Sequence, residues 1–143
     1  MYKNILLTVD LNHEESWRKA LPAAVAASRE FNARLHIITV APDFHMPLVA
    51  SYFPDDFMDG VKSRLKEELE KFVSEHVPDD VDSTHAVVHG GKIYEEIMRY
   101  ANKNGVDLIV VEAFHPDLKD YLLGSNAEKI ARHAKQSVLL VRE

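Results

Sequence analysis

The chain has 143 residues, 46% of them hydrophobic and 28% charged, which suits a single domain, 1–143, built on one core. Its net charge of −6 excludes the electrostatic footprint of a nucleic-acid binder or of a protein held on an anionic membrane surface. The absence of cysteine excludes disulfides, thiolate metal sites and a cysteine nucleophile. The N-terminal MYKNILLTVD carries an apolar run too short for a signal segment or a spanning helix, so a cytoplasmic location is expected.

Ile5 to Val9 is a continuous, β-branched-rich run that stops at Asp10, the pattern of a strand buried on both faces. Asn12 to Glu15 resembles a helix start, with Asn12 as cap and Glu14 and Glu15 in the first turn. Trp17, Leu21, Ala24, Ala27 and Phe31 follow at helical spacing, and Pro22 inside that pattern should kink the helix or shift its start. Leu35 to Val40 reads as a second strand. Residues 41–59, with Pro42, Pro47 and Pro54 among aromatic residues, read as a long loop that either packs over the core edge or contacts a ligand.

Val61, Leu65, Leu69, Phe72 and Val73 mark an amphipathic helix with a solvated charged face. Thr84 to Val88 gives a third strand, and Gly90-Gly91 turns the chain into a helix through Ile93, Ile97, Tyr100 and Ala101. Gly105 ends that helix as a C-terminal glycine would. Asp107 to Val111, Gly124 to Ala134 and Ser137 to Val141 complete the series as strand, helix and strand. Buried-type strands alternating with helical crossovers predict an α/β fold, a parallel sheet with helices on both faces.

In such a sheet, ligands sit beyond the carboxyl ends of the strands, where the strand order reverses. Those ends are Val9-Asp10, Val40-Ala41, His89-Gly90-Gly91 and Glu112 to His115. Asp10 could accept a hydrogen bond from a base or ribose, hold Mg²⁺, or simply cap its own loop. Gly124 and Ser125 offer backbone N–H groups at a helix start, where a phosphate and a plain Ser125 cap would use the same donors. Eight histidines show no metal-ligand spacing on a helix. No G-x-S-x-G, H-E-x-x-H or Walker A sequence is present, and no activated nucleophile stands out.

The segments NILLTVD, ARLHIITV, HGGKIYEEIMRYANKNGVDLIVV and YLLGSNAEKIARHAKQSVLLVR resemble the universal stress proteins over essentially the whole chain. His115-Pro116-Asp117 followed by Tyr121 to Ala127 is similar to the stress protein F subgroup. The resemblance implies a three-layer α/β/α Rossmann-like fold of the adenine nucleotide alpha hydrolase type, with a five-stranded parallel sheet in the order 3-2-1-4-5. It implies a homodimer paired through strand 137–142. An apolar edge at Ser137 to Val141 calls for such a partner on physical grounds as well.

The resemblance further implies binding of ATP or AMP, with Mg²⁺. ATP-binding members carry G-x-x-G, nine residues, then G-[S/T]. Gly124-Ser125 fits the end of that motif, Asp10 the nucleoside-contacting aspartate and Val40 the backbone contact to adenine. Thr8 stands where ATP binders often have proline. The implied site set is Thr8, Val9, Asp10, Val40, Gly90, Glu112, His115, Gly124, Ser125 and Asn126. The front of the motif departs from the pattern. Glu112 replaces the first glycine, Phe114 or His115 stands near the second, and the spacing is one residue short. An ionised Glu112 beside a triphosphate would cost roughly 1–4 kcal/mol, about one to three decades in affinity. Glu112 could escape that conflict by pointing away from the pocket or by holding Mg²⁺. Three readings follow: a nucleotide-binding stress-response dimer, an interaction dimer without nucleotide, and at most a slow ATPase for which no general base or arginine finger is evident.

Overall fold

The computed structural model describes residues 1–42, 57–113 and 125–142. The described elements are β1 (Asn4–Thr8), a 3-10 turn (Glu14–Ser16), α1 (Ala20–Phe31), β2 (Arg34–Pro42), α2 (Phe57–His76), β3 (Ser83–Gly90), α3 (Ile93–Lys103), β4 (Leu108–Glu112), α4 (Ser125–His133) and β5 (Ser137–Val141). The strands form one sheet in the order β3-β2-β1-β4-β5, and every neighbouring pair is parallel.

The unbroken apolar runs of β1 and β4 occupy the middle of this sheet, where both faces are covered. Ile5, Leu6, Leu7, Ile109 and Val110 are fully buried. Alternation along the strands then sorts the core into two layers. Ile5, Leu7, Leu35, Ile37, Leu108 and Val110 pack with Leu21 and Val25 of α1 and with Leu69 and Phe72 of α2. Leu6, Ile38, Ile109 and Val111 point the other way, against Ile97 and Ala101 of α3 and Ala127 and Ile130 of α4. A second tie joins the two central strands. The Asp107 carboxylate, just ahead of β4, accepts the backbone N–H groups of Lys3 at 2.9 Å and Asn4 at 3.1 Å, fixing where β1 begins.

The helix start expected at Asn12 to Glu15 is corrected: those residues enter the 3-10 turn, and α1 begins only at Ala20. Pro22 therefore sits in the first turn of α1, where its missing N–H removes no intrahelical bond. The proline shifts the start and does not kink the helix interior. Asn32 closes α1 in the left-handed conformation at φ 52°, its N–H bonded to the Arg29 carbonyl and the Ala33 N–H to that of Ser28. Gly105 follows α3 at φ +64°, as expected of a terminating glycine. Of the segment 41–59 expected as a long loop, residues 41–42 belong to β2 and 57–59 to α2. Residues 43–56 and 114–124 lie outside the described residues.

Candidate functional site

The strand order reverses between β1 and β4, since β2 and β3 extend the sheet to one side of β1 and β4 and β5 to the other. A cleft of about 420 Å³ opens there, beyond the carboxyl ends of β1, β2 and β4. That size falls within the roughly 300–1,000 Å³ of small-ligand sites. Thr8, Val9, Asp10, Val40, Glu112 and Asn126 of the expected set all line it. Gly90 does not. It ends β3, paired with Pro42 at the outer edge of the sheet, and a Cβ there would run into the Glu96 side chain. Its nearest neighbour is thus a side chain of α3 and not the cleft. His115 and Gly124 lie outside the described residues, and Ser125 is described only as the first residue of α4.

The polar end of the cleft is built by the chain leaving β1. Asp10 Oδ1 accepts the Asn12 N–H at 3.0 Å, and Oδ2 lies 2.9 Å from His13 Nδ1. Ser16 Oγ accepts the Asp10 N–H at 2.9 Å and donates its one proton to the His13 carbonyl at 2.7 Å. The loop is thus locked upon itself, with the Asp10 carboxylate half exposed at the mouth. Two of roughly four carboxylate lone-pair sites are used, so acceptor capacity remains for a ligand.

Apolar residues, all but Val40 with no motif to announce them, supply the other walls. Val40, Leu65, Ile93, Ile97, Val111, Ala127 and Ile130 make an apolar slot. Ile93 is the informative one: it opens α3, yet 45% of it is exposed, an apolar side chain left bare at the cleft. The first turn of α4 borders this slot with Asn126 and Ala127. Its first-turn N–H groups have no partner within the helix, which gives the site an electropositive rim.

Glu112 answers the question raised by its position. It is buried, with 7% exposure. Its Oε2 accepts the backbone N–H groups of Lys19 at 3.1 Å and Ala20 at 3.0 Å. These are orphan donors at the start of α1, whose N-cap residue Lys19 makes no side-chain cap of its own. The carboxylate of β4 therefore caps α1 and meets the positive end of its dipole. Oε1 is buried and makes no hydrogen bond. Among the described residues, no group of three or more histidine and acidic side chains could hold a metal ion, and no helix is long and apolar enough to cross a membrane.

Comparison with known proteins agrees with this geometry. Universal stress protein G of Escherichia coli O157:H7 is 29% identical over 144 residues, covering 99% of this chain and 100% of that protein. Among solved structures, the universal stress protein from Archaeoglobus fulgidus in complex with dAMP is 18% identical with a TM-score of 0.68, covering 97% of each chain. A universal stress protein in complex with cAMP is 22% identical with a TM-score of 0.62, covering 99% of this chain and 97% of that one. These two establish likeness of fold. The Universal stress protein family model matches residues 1–142, and the chain belongs to that family.

Proposed function

We propose that this universal stress protein binds an adenine mononucleotide in the cleft between β1 and β4, and that it disfavours ATP. The observation that carries the reading is the cleft itself: an apolar slot at the switch point, Asp10 at one side and the N-terminus of α4 at the other. The base fits the slot between Val40 and Ile93, the ribose hydroxyls donate to Asp10, and a single phosphate meets the backbone of Asn126 and Ala127. Family members seen with cAMP and dAMP support the same class of ligand.

Glu112 supports the preference. Where a glycine would let the backbone approach a polyphosphate, this chain carries a buried carboxylate committed to α1. One phosphate at α4 avoids it; a triphosphate would not. Mg²⁺ would relieve part of that repulsion, so Mg-ATP binds in this reading, but more weakly than AMP.

The protein works in the cytoplasm as a homodimer, paired through β5, and as a nucleotide-responsive regulatory module, not an enzyme. The edge of β5 supports the pairing, because it bonds to β4 on one side only and leaves Leu139 41% exposed. Isothermal titration of nucleotide-stripped protein with AMP and then Mg-ATP is the test. Micromolar AMP with weaker Mg-ATP is the expected result. No binding of either up to millimolar concentration would refute the reading and leave an interaction dimer without nucleotide.

A further inference from the structure

We infer that the protein carries a second ligand site, a pocket between α2 and β3 that takes a phosphate group borne by a small, partly apolar molecule. This pocket, of about 400 Å³, lies at the edge of the sheet remote from β5. Lys62 and Lys66 stand one turn apart on α2, and His85 and Val87 rise from β3 beneath them, over a floor that includes buried Leu69. Among the described residues, no aspartate or glutamate lines it. In a chain of net charge −6, a basic pocket without a carboxylate is a local reversal of sign.

The lysines are not held as surface lysines on the same helix are. Lys71 pairs with Glu75, one turn along α2, at 3.8 Å. Lys62 instead reaches across to β3 and lies 3.0 Å from His89 Nε2. An ammonium can only donate, so Nε2 accepts, and the contact brings no compensating negative charge. Lys66 forms no ion pair among the described residues, although Glu70 follows it at the favourable spacing on α2. Lys62, Lys66 and His85 therefore line one concavity, and each ammonium keeps donor capacity to spare. A phosphate dianion offers three or more acceptor oxygens at once and suits several point-charge donors better than a carboxylate does. The apolar floor at Leu69 and Val87 gives the rest of the ligand a surface to cover.

The site is separate from the nucleotide cleft, which α2 touches through Leu65, so its test stands apart from AMP binding. The full-length protein is titrated with inorganic phosphate at constant ionic strength, following the His85 and His89 ring signals and the backbone amides by NMR. Saturable shifts at His85, His89 and Val87 are expected, with affinity falling about tenfold or more in the Lys62→Met/Lys66→Met variant. Shifts at Asn126 and Ala127, from phosphate in the other cleft, should persist in that variant. Should the double variant fail to fold, Lys66→Glu, at an exposed position, must weaken the β3 response alone. Shifts that grow linearly without saturating, or an equal response in the variants, would overturn the proposal.

Discussion

Glu112 Oε2 accepts the Ala20 N–H at 3.0 Å, so the last residue of β4 holds the first turn of a helix 92 positions earlier in the chain. A carboxylate at a helix N-terminus does there what a bound phosphate does elsewhere: it accepts orphan N–H groups and meets the helix dipole. Two outcomes follow. Glu112→Ala should destabilise the fold by about 1–2 kcal/mol, the usual scale for loss of a cap, read as a lower urea midpoint at unchanged slope. Glu112→Gln keeps an acceptor and should cost less, yet raise Mg-ATP affinity about tenfold by removing the charge. Equal ATP affinity in wild type and Glu112→Gln would show that the carboxylate is silent toward the ligand.

Asp10 is expected to act on the nucleoside. Asp10→Asn preserves an oxygen for the Asn12 N–H but removes the charge. AMP affinity should fall about tenfold, the scale of one charge-assisted hydrogen bond at about 1.5 kcal/mol. Titration of the variant with AMP checks this, and an unchanged dissociation constant places the ribose elsewhere.

Leu139 tests the dimer. Replacing it by lysine sets a charge on each copy at the edge where β5 would meet its partner. Sedimentation equilibrium should return the monomer mass for Leu139→Lys and the dimer mass for wild type. A variant that remains dimeric rules out this edge as the interface.

His36 predicts a pH dependence of stability. Its Nδ1 lies 2.9 Å from the Tyr100 hydroxyl and its Nε2 lies 2.9 Å from Asn4 Oδ1. An amide oxygen only accepts, so Nε2 carries the proton and Nδ1 takes that of Tyr100. Burial first, and then the charge of Arg34, hold the imidazole below its ordinary value of 6.5. The unfolded chain therefore binds a proton that the folded chain refuses. Stability from this group is full above 6.5, falls as pH drops below it, and levels off beneath the lowered folded value. Thermal unfolding from about pH 7.5 to about pH 5 should show this slope, flattened in His36→Gln. An identical slope in that variant would assign the acid sensitivity to other groups.

Most of the sheet is legible in the sequence because it is encoded locally. Ile5 to Leu7 and Leu108 to Val111 are apolar without interruption, as the centre of a parallel sheet requires. The start of α1 is not legible, because its cap comes from Glu112 and no neighbouring residue announces it. That Asp10 and Asn126 border the cleft is readable from strand ends and a motif remnant. Ile93, Ile97 and Leu65 are not, since an apolar side chain on a helix looks the same whether it faces a core or a cleft. Gly90, implied by the resemblance alone, ends an outer strand beside Glu96 and does not line the cleft.

The order of the strands also bears on how the protein is made. β1 leaves the ribosome first, yet its register partner in β4 begins at Leu108, paired with Ile5. At about 5–20 residues per second, the intervening stretch takes roughly 5–20 s to synthesise. Through that interval Ile5, Leu6 and Leu7 present an open apolar edge that β2 can cover on one side only. The nascent chain is therefore most exposed to mispairing just before Asp107 emerges to seize the Lys3 and Asn4 amides.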